Sequence, residues 1–416
     1  MIRKSLICFF LPVFISACCF CIAEETAIQE NYGLIPSPDI SIPVFSSDTL
    51  PCPSVEIPDN EALRFVRELK AGWNLGNAFD AYDNSGYSRG PALETYWCKA
   101  KTSRELIHAI HEAGFNLIRI PVSWHNHFID NNFTIDPEWM ARIQEVAGWA
   151  ADEGMYFIIN IHHDNDLKYI FPDSAHYSQS EQYISAVWTQ IAEAFRNFDD
   201  HCIFESMNEP RLIGSSFEWW FNQNSFECRD AADCINRLNQ KFVDIIRASG
   251  GNNKTRYLSV PGYCASPESV NSIHFKVPQD TVENRIIIEI HAYRPYNFSL
   301  NISSTDSSFD PDRDLSKKNE IDTFMNSLYR KFIKQGIPVL IDEFASLDKS
   351  NLQDRVNFTA FYTAAASIRG IGCCIWDNHS FSGAGEKLGL IDRNNVTWVY
   401  PDIALAMVRN SILGRE

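Results

Sequence analysis

Two glutamates each follow an apolar, strand-like run and could work as a pair. Glu209 comes just after the run 202–206, and Glu343 comes just after the run 338–341. A charged carboxylate at the end of a buried strand is costly unless it is hydrogen-bonded, so this placement is unusual for a surface ion pair. Two facing carboxyls can act on one bond, because the protonated one donates to the leaving oxygen while the ionised one attacks carbon. The pair therefore predicts the acid/base and nucleophilic chemistry that cleaves a glycosidic bond.

Other apolar runs also end in polar or aromatic side chains that could complete such a site. Arginine and tyrosine hold a carboxylate ionised, and aromatic faces stack on the C–H faces of sugar rings. The alternatives are that the arginine is a member of a core ion pair and that any one tryptophan is a core residue. The candidates at these run ends are Arg119, Trp124, His162, Asn208, His291, Tyr293 and Trp376, and Trp219 and Trp220 follow the fourth run.

The histidine pair at the end of the third run has two rival interpretations. His162-His163-Asp164 is either a metal site or a hydrogen-bonding platform. No further Cys, His or carboxylate falls at ligand spacing nearby, which favours the platform.

The elements that must position these side chains are strands that alternate with helices. Near-continuous apolar runs are typical of a parallel sheet that helices cover on the outside. Eight such runs, separated by helical segments that end at glycines, predict an α/β fold of the (β/α)8 TIM barrel type, whose active site gathers at the C-terminal ends of the strands. The predicted strands are 72–76, 117–121, 156–161, 202–206, 257–260, 285–290, 338–341 and 371–375.

The acidic composition excludes some partners. The chain has 416 residues and a formal net charge of −17. An acidic surface repels phosphate backbones and anionic lipids, so we expect no nucleic acid partner and a neutral substrate. We expect the protein to be a monomer.

The N-terminus predicts export. Arg3 and Lys4 precede an apolar run that ends at Ala23, which is the order of a signal peptide. A membrane anchor is the alternative, although the run is short for a spanning helix. Cleavage after Ala23 competes with a lipobox-like segment that would place a lipid on Cys18.

These features divide the chain into three parts. We predict a signal peptide at 1–23, a Pro/Ser-rich linker at 24–58 and a single catalytic domain at 59–416. We therefore expect a secreted or cell-surface protein whose only attachment to a membrane would be the lipid.

The ordered set of motifs resembles glycoside hydrolase family 5. The likeness is greatest to its subfamily 4 of endoglucanases and xyloglucanases, and it spans residues 60–411. The motifs are GWNLGN at 72–77, RIPVSW at 119–124, NIHH at 160–163, NEP at 208–210, HAY at 291–293, Glu343 and WDN at 376–378.

The resemblance implies a retaining endo-β-1,4-glucanase that acts on cellulose, mixed-linkage β-glucan or xyloglucan without a metal or organic cofactor. It implies that Glu209 is the acid/base and Glu343 the nucleophile. The implied substrate-binding residues are Asn208 at the 2-hydroxyl of the sugar in the −1 subsite, Arg119 and Tyr293 at the nucleophile, His162 and His291 in the hydrogen-bonding shell, and Trp376 under the sugar.

One position departs from the family, and two other functions stay open. The family usually has glycine before the nucleophile, whereas this chain has Asp342. Because successive side chains on a strand point to opposite faces, we expect Asp342 to point away from Glu343. The alternatives are a mannanase or xylanase on the same scaffold and a non-catalytic glycan-binding surface protein. The latter typically lacks a catalytic carboxylate, and in this chain both are present.

Overall fold

The eight predicted strands form a closed barrel of parallel strands in the computed structural model, which describes residues 34–52, 55–87 and 90–413. Each strand pairs with its neighbour in sequence, and the eighth pairs with the first. The prediction of a (β/α)8 barrel is confirmed. The barrel strands are β1 Gly72–Leu75, β2 Leu117–Ile120, β3 Tyr156–Asn160, β4 Cys202–Glu205, β5 Leu258–Pro261, β6 Ile286–His291, β7 Val339–Phe344 and β8 Gly372–Asp377.

Helices surround the barrel and cover its outer face. Two further short strands, β9 Ile391–Asp392 and β10 Thr397–Trp398, form an antiparallel pair after β8. The helices of the described residues are α1 Glu61–Glu68, α2 Arg104–Glu112, α3 Pro137–Asp152, α4 Tyr177–Ala194, α5 Phe226–Ala248, α6 Pro267–Asn271, α7 Tyr296–Ser299, α8 Leu315–Lys331, α9 Leu352–Ser367 and α10 Pro401–Asn410.

Helix α2 shows how the sequence sets these elements. The Ser103 hydroxyl accepts a hydrogen bond from the Leu106 amide and so satisfies a free donor in the first turn. Leu106, Ile107 and Ile110 share one buried face. The chain leaves the helix at Gly114, which has φ 91° and is therefore in the left-handed region that favours glycine.

The amino-terminal end of the barrel is filled by apolar side chains. Helix α1 and the residue just past it close this end with Phe65, Val66 and Leu69. This floor fixes which face of each strand points inward. The strand residues that form one buried cluster with the helix are Leu117, Ile158, Ile203, Ile287, Leu340 and Cys374.

A second layer lies two residues farther along the strands and is polar. Because strand side chains alternate between faces, the residues two positions after the apolar floor also point inward. The members of this polar layer are Asn74, Arg119, Asn160, Glu205, Ser259, Glu289 and Asp342, all of them fully buried. The residues that follow them at the strand ends form the upper mouth of the barrel, where TIM-barrel active sites lie.

The prediction that Asp342 points away from the site was wrong. Strand β7 has an irregular register, since Ile290 pairs with Ile341 but His291 pairs with Glu343. Asp342 points inward as the alternation from Leu340 requires, and the shift then breaks the alternation so that Glu343 points into the barrel as well. Asp342 lies 3.3 Å from His291 Nε2, and Glu343 lies 2.7 Å from Arg119.

The described part of the predicted linker lies against the barrel. The segment 34–52, which we call the N-terminal strap, is anchored by side chains of α10. Asp402 accepts hydrogen bonds from the Ser37 amide and hydroxyl, both at 2.8 Å, and Asn410 accepts one from the Phe45 amide at 2.9 Å. These residues are therefore part of the folded unit and not a free linker. The segment looked like a linker because it carries no helical or strand period, and its hydrogen-bond partners are remote in sequence.

The predicted signal peptide, including Cys18, lies outside the described residues. Among the helices that the structure describes, none is long and apolar enough to span a bilayer. The eight cysteines from Cys52 to Cys374 are all free thiols.

We expect Asn410→Ala to loosen the N-terminal strap. The Asn410 side chain is fully buried, accepts from the Phe45 amide and donates to the Pro43 carbonyl at 2.9 Å. Its loss leaves two partly buried backbone groups without these partners, which costs about 1 kcal/mol in the free energy of unfolding. Denaturant unfolding measures this change, and Asn131→Ala, at an exposed position, is the control. Equal stability of the two variants would show that the strap does not contribute.

Candidate active site

A fully buried arginine lies at the centre of the barrel mouth. Arg119 donates from Nε and Nη2 to the two carboxylate oxygens of Glu205, at 2.6 and 2.7 Å. It also donates to Asn208 Oδ1 at 2.7 Å, to Glu343 Oε1 at 2.7 Å and to Asn74 Oδ1 at 3.0 Å. Burial alone would lower the pKa of this guanidinium, but the charges of Glu205 and Glu343 raise it well above its ordinary value. Arg119 is therefore a permanent cation that holds both of its carboxylate neighbours in place.

Glu343 is held by two hydrogen-bond donors and lies near the ring of His291. Besides Arg119, the Tyr293 hydroxyl donates to Glu343 Oε2 at 3.0 Å, and His291 Nδ1 lies 3.4 Å from the same oxygen. Burial raises the pKa of Glu343 from its ordinary value, His291 and Arg119 oppose this rise, and the nearby Glu209 adds to it. The donors fix the direction of both oxygens, which a nucleophile requires.

Glu209 faces the same space from the loop after β4. Its Oε1 lies 2.9 Å from His291 Nδ1, and its Oε2 lies 3.6 Å from Arg211 Nη1. Burial opposes ionisation, but the hydrogen bond and charge of His291 outweigh it and lower the pKa of Glu209 to about 2. A carboxyl that donates a proton would be expected to have a raised pKa. The shift of Glu209 has the opposite direction because His291 lies against it.

His291 contacts both glutamates. Burial would lower its pKa, yet the charge of Glu343 and the contacts with Asp342 and Glu209 raise it to about 10. His291 and Glu209 therefore titrate as a pair that shares one proton.

The two glutamates lie close together across the mouth. One carboxylate oxygen of Glu209 and one of Glu343 lie within 4.8 Å of each other and of a ring nitrogen of His291. Retaining glycosidases place their carboxyls roughly 5 to 5.5 Å apart, whereas inverting enzymes leave room for a water molecule between them. The gap suits direct attack by a carboxylate.

The remaining predicted site residues line the same space. The rings of His162 and Trp376 are parallel, with an interplanar angle of 6° and centroids 5.7 Å apart. Asn160 Nδ2 lies 3.0 Å from His162 Nδ1. Burial and the neighbouring His163 lower the pKa of His162 well below its ordinary value, so this ring is neutral. Because His162 Nδ1 accepts from the Asn160 amide, its Nε2 carries the proton and can donate a hydrogen bond to a sugar hydroxyl. The structure brings together Arg119, His162, Asn208, Glu209, His291, Tyr293, Glu343 and Trp376.

The tryptophans divide between core and surface. Trp124 is fully buried and donates its indole N–H to the Asn160 carbonyl at 2.9 Å, so it belongs to the core. Trp219 is about half exposed, and the Arg211 guanidinium lies 3.9 Å from the centre of its ring. Because Arg211 also contacts Glu209, Trp219 stands beside the candidate acid/base with one ring face covered by a cation. Trp220 is more exposed still.

The His162-His163-Asp164 segment acts as a platform of hydrogen bonds. Asp164 accepts from the backbone amides of Trp124 and His125. His163 points elsewhere, with Nε2 3.8 Å from Asp80 Oδ2. In the described chain, three groups of His and carboxylate atoms lie close enough to hold an ion, namely Asp80–His162–His163, Glu209–His291–Glu343 and Glu289–His291–Asp342. The last two share His291 and lie against the Arg119 cation, which already neutralises part of their charge.

Four contributors to the site were missed in the sequence. Glu205 and Glu289 lie inside runs that we interpreted only as apolar strands, and Arg211 and Asp80 lie in loops. A signal for the first two was present, since each is a charged residue two positions after an inward apolar one. Nothing in the spacing of Asp80 or Arg211 separates them from surface charges.

Comparison with known proteins gives one consistent family. The model of the cellulase family, glycosyl hydrolase family 5, matches residues 80–382. Endoglucanase B of Ruminococcus albus is 40% identical over 81% of this chain and 78% of its own length. Endoglucanase 1 of the same organism is 38% identical over 91% of this chain and 87% of its own length.

Solved structures of the same family are similar to this chain. A family 5 lichenase from Caldicellulosiruptor sp. F32 is 49% identical with a TM-score of 0.85, over 89% of this chain and 100% of that one. A variant of that enzyme is described in complex with cellotetraose. A broad-specificity endoglucanase from Ruminococcus champanellensis with bound cellotriose is 40% identical with a TM-score of 0.78, over 85% of this chain and 100% of that one.

We expect Glu205→Gln to destabilise the protein and to impair the site. Glu205 is the bidentate partner of Arg119, and both side chains are fully buried. Removing one member of a buried ion pair costs about 3–5 kcal/mol, because the other charge stays buried. Thermal unfolding measures the loss, and Glu283→Gln, at an exposed position, is the control. A melting temperature equal to that of the control would contradict the central role of this pair.

Proposed function

The chain belongs to glycoside hydrolase family 5, and from this membership we propose that Glu209 and Glu343 carry out its endo-β-1,4-glucanase reaction as acid/base and nucleophile. The chain is a retaining glycoside hydrolase that cleaves internal β-1,4 bonds of glucans. The observation that carries the assignment of roles is the contrast between the two carboxyls. Glu343 is fixed by Arg119 and Tyr293, whereas Glu209 is hydrogen-bonded to a proton donor, His291.

In the first step, a carboxylate oxygen of Glu343 attacks the anomeric carbon and the bond to the leaving oxygen breaks. The leaving oxygen takes a proton from Glu209, which receives it from His291 Nδ1 over the 2.9 Å hydrogen bond. The positive charge on the sugar ring is stabilised by the carboxylate, and Arg119 and Tyr293 keep that carboxylate oriented.

In the second step, a water molecule attacks the anomeric carbon of the glycosyl ester. Glu209 accepts a proton from this water, and Glu343 leaves as a carboxylate. Two inversions at the same carbon retain the anomeric configuration. Asn208 is held by Arg119 at 2.7 Å, which points its amide toward the space where we place the sugar 2-hydroxyl. His162 and Trp376 supply the hydrogen bond and the stacking face for the same ring.

We propose β-1,4-glucans, including mixed-linkage glucan and xyloglucan, as the substrates. The acidic surface suits a neutral polymer, and relatives of this chain include a lichenase and a xyloglucan-specific endo-β-1,4-glucanase. A mannanase or xylanase activity would use the same two glutamates with different loops. Wild-type rates on barley β-glucan, galactomannan and xylan separate these options.

We also propose that the protein is secreted or held at the cell surface as a monomer. The support for export is the basic and then apolar N-terminus, which lies outside the described residues. Mass spectrometry of the mature protein distinguishes cleavage after Ala23 from a lipid on Cys18.

Variants of the two glutamates test the roles separately. We expect Glu209→Ala to lower kcat/KM on β-glucan by about 10²–10⁴, because proton donation to the leaving oxygen is lost. The same variant keeps far more of its activity on an aryl cellobioside with an acidic phenol, because that leaving group needs no proton. Glu343→Ala should lose activity on both substrates.

The control for these variants is Glu283→Gln, which is exposed and remote from the mouth. Circular dichroism shows that each variant is folded. The assigned roles would be wrong if Glu343→Ala kept wild-type activity. They would also be wrong if Glu209→Ala lost activity on β-glucan and on the aryl cellobioside to the same extent.

A further inference from the structure

Two carboxyl groups lie beneath His291, on the side away from Glu209. Asp342 Oδ1 lies 3.3 Å and Glu289 Oε1 lies 3.5 Å from His291 Nε2. Both carboxylates are fully buried, and His291 is nearly so. Within the described residues, the side-chain oxygens of Asp342 and Glu289 and the Nε2 atom of His291 have no partner at full hydrogen-bond geometry. Neither carboxyl has a task in the two-step reaction.

The charges around this group are unbalanced. His291 faces Glu209 and Glu343 at Nδ1, and Glu289 and Asp342 at Nε2. From other strands, Arg119 on β2 and His162 on β3 face this group of side chains. Asp342 lies 3.8 Å from Arg119 Nε, and it also faces Glu205 on β4. Buried carboxylates outnumber the cations, so at least one of them must hold a proton.

That proton belongs on Glu289. Burial and the charges of Glu205 and Asp342 raise the pKa of Glu289 well above its ordinary value, and Arg119 makes no hydrogen bond to it. Arg119 Nε instead lies 3.8 Å from Asp342 Oδ2. Glu289 is therefore the neutral acid of the pair beneath His291.

We propose that Asp342 is a positioning residue for the acid/base: its carboxylate at Nε2 keeps a proton on His291, which then presents Nδ1–H to Glu209. The proposal rests on the assignment of Glu209 as acid/base. Both ring nitrogens are protonated in this state, so the imidazole joins a carboxylate below to a carboxylate above. Asp342 points inward with the rest of the polar layer, and the irregular register of β7 brings the nucleophile Glu343 inward directly beside it.

The consequence is a dependence of activity on pH that Asp342 sets. The alkaline limb of kcat/KM reports loss of the essential proton from the free enzyme. In this enzyme that proton is shared by His291 and Glu209, and an anion beside the imidazolium delays its loss to higher pH. Removing the anion destabilises the imidazolium, so the proton is lost at lower pH.

The test is the pH profile of kcat/KM on barley β-glucan for wild type, Asp342→Asn and two controls. We expect Asp342→Asn to move the alkaline limb to lower pH by about one unit or more, with kcat/KM nearly unchanged well below the limb. Glu289→Gln replaces a neutral acid with a neutral amide of the same shape and should leave the limb in place. Asp200→Asn makes the same change of charge at an exposed site before β4 and should also leave it in place.

Several results would overturn the proposal. A folded Asp342→Asn variant with the wild-type limb would show that Asp342 does not act through His291, while an inactive Glu209→Ala variant would still uphold the proposed function. If Glu289→Gln moved the alkaline limb as far as Asp342→Asn does, Glu289 would also act as an anion beside His291, which contradicts the role given to Asp342 alone. Stoichiometric zinc in purified wild-type enzyme would also overturn it, because Nε2 would then bind the metal and carry no proton.

A measurement on the wild-type enzyme covers the case in which Asp342→Asn does not fold. Nitrogen-15 NMR of the histidine rings distinguishes a doubly protonated imidazole from a neutral one. We expect His291, assigned by its loss in His291→Gln, to be doubly protonated at a mildly alkaline pH of about 8, which lies below its raised pKa of about 10. A neutral His291 ring at that pH would contradict the proposal.

Discussion

The hydrogen bonds of one buried arginine are the constraint on which the site depends. Arg119 has no exposed surface, and its N–H groups reach Asn74 on β1, Glu205 on β4 and Glu343 on β7, as well as Asn208 just beyond β4. A buried guanidinium is tolerated only when its donors are matched. The polar layer is therefore stable as a unit, and the positions of the nucleophile and of Asn208 are set by the same cation.

This constraint explains why the site tolerates so many acidic groups. Glu205 and Glu343 both contact Arg119, so one cation balances part of the charge of each carboxylate. His291 then becomes the second cation, and it lies between Glu209 and Glu343. As a result, the proton needed for catalysis is shared by the acid/base and the imidazole that contacts it. The low pKa of Glu209 in the free enzyme is thus a property of the pair and not evidence against its role as proton donor.

The sequence was sufficient for the barrel and for most of the site. The eight strands were recognisable because parallel strands covered by helices are apolar on both faces, and their ends carried the side chains that the structure brings together. The bounds of β7 and β8 were predicted too short, since Asp342, Glu343 and Trp376 continue the strands although they are polar or aromatic.

Other features could not be predicted because they depend on distant contacts. Asp342 and Glu343 both point inward because of a register shift between β6 and β7, after which Glu343 follows Asp342 into the barrel, and no local pattern indicates this shift. The N-terminal strap is held by Asp402 and Asn410, which are 365 residues along the chain from the groups they bind. Glu205 and Glu289 were recognisable in principle, but their role depends on Arg119 and His291 from other strands.

The central claim is that Glu343 attacks the sugar directly while Glu209 handles the proton, and product stereochemistry tests it most directly. Proton NMR can follow the anomeric signals of cellotetraose hydrolysis before mutarotation. Retention through a glycosyl ester on Glu343 predicts that the new reducing end appears first as the β-anomer and only later equilibrates. Initial appearance of the α-anomer would mean that water attacks in a single displacement, and it would contradict a nucleophilic role for Glu343.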